Sequence, residues 1–260
     1  NRGITTPDEQ EAFLSVDERL QENPFLLPDI SRAVKRLSLA LKNKEKIGVY
    51  GDFDVDGICG TALLVEGFQS LGASVVPYLP HRIDDGYGLN LNAITYLKQC
   101  GVQLIITVDC GITSFDEAVE ARNMGMDLII TDHHRPIKRC QKSEVSTLDS
   151  LPLALSIIDP WRPDSLYPFP HLSGTGVAYK LLQALYQALE KDGPDNRTLE
   201  LVALGTVADM QSLLGENRYL VSRGLEELNR TSRPGIQELI KVSGLIKGKI
   251  DSEDLSWTLG

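Results

Sequence analysis

The chain has 260 residues, 42% hydrophobic and 24% charged, with a formal charge of −10. Such a length buries a full core, as one large domain or a domain with a smaller lobe, and no tract is extreme enough for disorder. The excess of acid argues against broad nucleic-acid binding driven by Lys and Arg, and no apolar run approaches the ~20 residues that span a membrane.

Residues 1–30 lack the basic start and apolar centre of a secretory signal, and residues 1–45 read as mostly helical, with PFLLPDI turning into a helix over 30–42. Five apolar runs of strand length follow: KIGVY (46–50), SVVPYL (74–79), LIITVD (104–109), DLIIT (127–131) and ALSIID (154–159). Helical-period stretches at 57–71, 91–99 and 114–123 lie between them, closed by Gly72, Gly101 and Gly125. Strand and helix alternate as in a doubly wound α/β domain with a mainly parallel five-stranded sheet. After Pro170 the pattern becomes helix upon helix, at 174–191, 198–209, 217–229 and 234–242. The expected organisation is a helical segment over 1–45, an α/β domain over 46–170 and a smaller helical lobe over 171–260. Cys59, Cys100, Cys110 and Cys140 form no C-x-x-C pair, so no zinc knuckle or disulfide framework is expected, and a reducing, cytoplasmic setting fits. The start at Asn1 and the end in LSWTLG read as those of an excised core.

Ligands of open α/β sheets bind beyond the carboxyl ends of the strands. There the sequence places Asp52, Asp54 and Asp56, then Asp109, then Asp132-His133-His134, then Asp159. A single aspartate at a strand–helix junction is commonly a cap, and a lone histidine is commonly a surface group. Independent caps do not gather acids and a His-His pair at successive strand ends of one sheet. Crowded carboxylates repel unless a cation lies between them, and this oxygen and imidazole mixture suits Mn²⁺, Mg²⁺ or Zn²⁺. Two such ions about 3.5–4 Å apart form the usual clamp for phosphoester hydrolysis. The alternate spacing is expected to aim Asp54 and Asp56 to one side of an extended loop.

The stretches GDFDVDG, TVDCGIT, TDHHRP and LVALGTVADM resemble the four successive motifs of the DHH phosphoesterases. RGITTPDEQEAFL, PFLLPDI, PHRIDDGYGLN, HLSGTGVAYKLLQAL and LLGENRYLVSRGLEELN further resemble the single-strand-specific 5′→3′ DNA exonuclease branch of that family. The resemblance implies two Mn²⁺ or Mg²⁺ ions. Asp54 would bind the first ion with Asp52 nearby, Asp56, His133 and Asp209 the second, and Asp109 would bridge them. His134 would face the scissile phosphate as an acid toward the leaving oxygen, with Asp132 steering the histidines. His81 and Arg82 would meet the substrate strand, and Ser173-Gly174 would form a backbone-contact turn. The implied partners are single-stranded DNA, a single-strand-binding protein and a helicase, for a monomeric repair and recombination enzyme. Tyr50 stands where the family's manganese pyrophosphatases carry a histidine ligand, which argues against that activity. The family's second domain and an OB-fold are expected to be absent from this stretch of chain. Two alternatives stay open: a phosphodiesterase for short oligonucleotides or cyclic dinucleotides, and a non-catalytic replication scaffold.

Overall fold

The computed structural model describes residues 4–137 and 151–259, so Cys140 lies outside the described residues. The five apolar runs form one sheet: β1 (Lys46–Gly51), β2 (Ser74–Tyr78), β3 (Leu104–Val108), β4 (Asp127–Thr131) and β5 (Ser156–Ile158). All neighbours pair in parallel, in the order β2-β1-β3-β4-β5. This order winds outward in both directions from β1 and β3, which makes their carboxyl ends the crevice of the sheet.

Alternate residues of each central strand enter different cores, as the period of two requires. Ile47, Val49, Leu104, Ile106 and Ile129 face one core, which continues through α2 (Ile30–Asn43), α3 (Val55–Ser70), α6 (Gly174–Ala188), α7 (Thr198–Ala208) and α8 (Gly215–Leu228). Tyr50, Ile105, Leu128 and Ile130 face the other, closed by α4 (Leu91–Gln99) and α5 (Phe115–Asn123). The helices after residue 170 therefore share the core of the sheet: α3 packs against α6 and α7, and α7 against α8. A further helix, α9 (Pro234–Val242), adds Ile236 and Ile240 to that core.

The N-terminal segment holds α1 (Pro7–Ser15), two single 3₁₀ turns and α2. It is tied to the helical lobe by a buried polar network. Lys180 donates from Nζ to the Glu22 carbonyl at 2.6 Å and to Glu216 Oε1 at 2.7 Å. The Tyr167 hydroxyl donates to Glu216 Oε2.

Several element boundaries differ from the sequence reading by a residue or more. Helix α3 begins at Val55 rather than 57, because the Asp54 carboxylate accepts the Gly57 N–H and caps it two residues earlier. Strand β5 stops at Ile158 because Asp159 Oδ1 accepts the Trp161 N–H and turns the chain. Helix α6 ends at Ala188 rather than 191, with Glu190 left-handed at φ 54°, and α8 starts at Gly215 rather than 217. No helix among the described residues is long and apolar enough to cross a membrane.

Candidate metal centre

Gly51 pairs with Val108, Val108 with Thr131, and Thr131 with Ile158. The residue after each is an aspartate, so parallel register alone sets Asp52, Asp109, Asp132 and Asp159 in a row along the carboxyl edge. The ladder continues through their N–H groups: Asp52 donates to the Val108 carbonyl, Asp109 to that of Thr131 and Asp132 to that of Ile158. All four side chains are buried.

Three groups of these residues, among those described, bring ligand atoms within 4.8 Å of one another: Asp52, Asp54 and Asp109; Asp56, His133 and Asp209; and Asp109, His133 and His134. Asp109 joins the first two, since its Oδ1 lies 2.9 Å from His133 Nε2. His133 Nε2 is in turn 3.6 Å from Asp209 Oδ2 and 3.9 Å from Asp56 Oδ2. Asp54 and Asp56 do not share a side of an extended loop, as their spacing led us to expect. Asp54 is the cap of α3 and Asp56 lies in its first turn, so helical rotation sends them to different groups.

The supporting contacts are specific. Asp56 accepts the N–H groups of Gly174 at 2.5 Å and Thr175 at 2.9 Å, and Thr175 Oγ1 donates to the Asp56 carbonyl at 2.7 Å. A Cβ at Gly174 would stand 2.4 Å from that of Asp109, so only glycine fits between the two ligands. Asp109 is left-handed at φ 62°, a conformation that aspartate tolerates better than most residues. Asp132 is saturated: Oδ1 accepts the His133 N–H at 2.7 Å, the His134 N–H at 3.1 Å and His134 Nδ1 at 2.8 Å, and Oδ2 accepts the Ile112 N–H at 2.9 Å. It therefore orients the histidines and leaves His134 Nε2 as the ring atom open to a substrate.

Electrostatics call for a cation here. Asp52 Oδ1, Asp109 Oδ1 and His133 Nε2 are buried without a hydrogen-bond partner among the described residues. The 2.9 Å approach of Nε2 to Asp109 thus lacks hydrogen-bond geometry and sets two ligand atoms face to face. Burial first, then the Asp56 charge, pushes the Asp109 carboxyl well above the usual carboxylate range. Burial also raises Asp52 and Asp209. Buried polar atoms are ordinarily satisfied, and hard-oxygen and imidazole ligands converging here fit divalent metal ions.

The other expected residues divide. Arg82 lies 5.1 Å over the ring of Phe53, between two of the acids, and so stands on the rim. His81 turns to its own loop, with Nδ1 2.9 Å from Asp84 and its N–H on Asp85. Ser173 and Gly174 are buried. The Ser173 hydroxyl caps α6 and Gly174 holds Asp56, because the helix start must satisfy its own N–H groups. Tyr50 supplies no ligand; its buried hydroxyl donates to the Gly88 carbonyl at 2.7 Å and steadies the 81–90 loop. Sequence reasoning missed Tyr87, whose hydroxyl is 3.2 Å from His134 Nδ1, and Thr175 on Asp56. It placed Asp159 at a strand end without assigning it a role in the site; no local signal marks Tyr87 or Thr175.

The model of the DHH family's N-terminal domain matches residues 46–206. The chain belongs to the DHH family. It is 40% identical to the single-stranded-DNA-specific exonuclease RecJ of Bacillus subtilis, over 99% of this chain and 31% of that protein. To the RecJ of Escherichia coli it is 39% identical, over 90% of this chain and 41% of that one. The chain thus spans about a third to two fifths of the curated relatives it matches. Its fold superposes on a RecJ crystal structure bound to manganese with a TM-score of 0.77 at 33% identity, covering 92% of this chain and 56% of that one. The Thermus thermophilus RecJ structure with Mn²⁺ gives 0.72 at 31% identity, over 90% of this chain and 32% of that one. The five-stranded parallel sheet of this DHH chain is the fold these structures share with it.

Within the DHH site, Asp159 makes a separable prediction. Burial, then the neighbouring Asp132, pushes its carboxyl from 3.8 up to about 8. Between those limits the folded state holds a proton that the unfolded chain has lost, so ionisation works against folding as pH rises. In metal-free protein, Asp159→Asn is expected to gain stability over the wild type by about 1.4 kcal/mol per pH unit through that window, and no further above it. Urea unfolding across pH checks this; a constant difference from pH 4 to 8 contradicts it.

Proposed function

We propose that this chain is the catalytic core of a metal-dependent phosphodiesterase that removes nucleotides from the 5′ end of single-stranded DNA, in repair and recombination. The observation that carries the reading is Asp109, shared between two ligand groups at the switch point of the sheet. Asp52, Asp54 and Asp109 would hold one divalent ion, Mn²⁺ or Mg²⁺, and Asp56, His133, Asp209 and Asp109 the other. Ions bound there supply Lewis acidity toward phosphoryl oxygens and lower the pKa of water. The rest is supplied by the chain. Backbone N–H groups of Gly174 and Thr175 fix Asp56. The Asp132 hydrogen bond raises the His134 pKa and holds the proton at Nδ1, so that Nε2 faces the leaving oxygen and, when protonated, delivers a proton to it. Tyr87, on the same imidazole, limits its rotation.

The similarity to RecJ exonucleases over 99% of the chain supports DNA as substrate. With 26 Lys and Arg against 36 Asp and Glu, the core has little cationic surface with which to grip or open a duplex. The reading therefore includes a helicase and a single-strand-binding protein as partners of a monomeric cytoplasmic enzyme. It keeps the division into residues 1–45, 46–170 and 171–260. A scaffold has no use for this many crowded acids, so we set that alternative aside.

The test uses short oligonucleotides labelled at either end, with Mn²⁺. A 5′ label is expected to appear first as mononucleotide, while a blunt duplex of the same sequence survives. Equal digestion of both forms, or first release of a 3′ label, refutes the reading. Hydrolysis of cyclic dinucleotides alone would favour the short-substrate phosphodiesterase.

A further inference from the structure

Beside the metal centre runs a rim of side chains that this chemistry does not use. Arg135 follows His134 directly, and its guanidinium lies 4.0 Å over the ring of Trp161. Trp161 meets His171 edge to face at 5.2 Å and 83°, and His171 meets Phe169 at 5.7 Å and 65°. Each end of this ladder is joined through the chain to a residue of the site. The Trp161 N–H donates to Asp159 Oδ1 at 2.7 Å. His171 stands two residues before Ser173, the cap from which Gly174 reaches Asp56.

The backbone beneath is pinned. Arg162, next to Trp161, is buried and donates from Nη1 to Asp29 at 2.6 Å and to the Ile157 carbonyl at 2.7 Å. Asn217 Nδ2 donates to the His171 carbonyl at 2.6 Å. Above this fixed base, Arg135 and His171 are exposed and Trp161 is half-buried. An indole serving only as core filler would be covered. A guanidinium stacked on a ring keeps its N–H donors pointing outward in its own plane, where they match phosphate geometry. Aromatic rings at a strand-binding edge offer stacking to any base.

We propose that Arg135, Trp161 and His171 form a subsite for one nucleotide of a single-stranded nucleic acid, adjoining the scissile phosphate. The Arg135 fork takes that nucleotide's phosphate, and the rings take its base. The subsite rests on the phosphodiesterase reading above, extends it from chemistry to strand recognition, and adds a cation to the Arg82 guanidinium at the edge of an acidic centre.

Trp161 is one of only two tryptophans in the chain, and the other, Trp257, is 87% exposed. Trp257→Phe therefore makes Trp161 the sole tryptophan, which is excited selectively at the red edge of the absorption band where tyrosine does not absorb. A hydrolysis-resistant phosphorothioate pentathymidylate, added with Mg²⁺, is expected to quench its emission saturably. The same backbone without bases is expected to quench little. In this background Arg135→Ala should weaken the titration about tenfold, and Arg135→Lys should recover part of the loss. In turnover with Mn²⁺, the ratio of kcat/KM for a pentanucleotide to that for methyl p-nitrophenyl phosphate, a phosphodiester without a nucleotide, is expected to fall about tenfold in Arg135→Ala and in Trp161→Ala, mainly through the pentanucleotide KM. Absence of quenching, or an unchanged ratio, overturns the subsite. Arg135→Ala removes an exposed side chain, so it decides the matter should Trp161→Ala fail to fold. If the wild type binds and quenches but cleaves neither substrate, the phosphodiesterase reading fails while the subsite stands.

Discussion

Asp109→Ala is too blunt a probe at a left-handed position, but Asp109→Asn is expected to weaken both metal groups together and to lower kcat by ~10³-fold or more. Asparagine keeps the volume and accepts φ near 62°, so the chain still folds and the loss is one of charge. Asp109 belongs to two of the ligand groups and touches His133 at 2.9 Å. Asp54 belongs to one, so Asp54→Asn should weaken one group and spare the other. Titration calorimetry with Mn²⁺ separates the cases: two binding events in the wild type, one in Asp54→Asn, and neither at wild-type affinity in Asp109→Asn. If Asp109→Asn binds two ions as the wild type does, the bridging role is wrong.

The largest loss of stability is expected outside the metal centre, in Lys180→Met. Lys180 and Glu216 are both fully buried and paired at 2.7 Å. The lysine also ties down the Glu22 carbonyl, and burial drives its pKa below that of a free amine. Removing it leaves the Glu216 carboxylate in the core with only the Tyr167 hydroxyl and the Glu22 N–H. Breaking a buried pair from one side costs about 3–5 kcal/mol, which lowers Tm by about 10 °C in a chain of this size. Adding Glu216→Gln should restore part of the loss, since it removes the stranded charge rather than the packing. Thermal and urea unfolding of the single and double variants measure this. A Lys180→Met chain as stable as the wild type would mean that the network is dispensable.

Much of this was open to reading along the chain. KIGVY, LIITVD and DLIIT are mostly apolar, without a polar residue at every second position, because strands covered on both faces have no polar side to show. The glycines after 71, 100 and 124 end helices where positive φ is required. An Asp-His-His triplet next to an apolar strand could be read as a ligand set because its chemistry is unusual for a turn. What could not be read along the chain shares one cause. Asp54 and Asp56 were separated by a helix that starts two residues early, and Ser173-Gly174 turned inward because the first N–H groups of α6 and the Asp56 carboxylate satisfy one another. Both outcomes depend on a hydrogen bond whose strength is invisible in composition or period.

By itself, then, the sequence determined the strand–helix alternation, the identity of the buried strands and the acids at their ends, since these follow from burial and from backbone preferences that act over a few residues. Only the tertiary structure decided that Asp52, Asp109, Asp132 and Asp159 stand in one row, because parallel register is a relation between strands dozens of residues apart. It alone carried Asp209 from the end of α7 to within 3.6 Å of His133, and laid Arg135 over Trp161 beside them. A ligand set of this kind is assembled by packing, and packing is settled by the whole core at once.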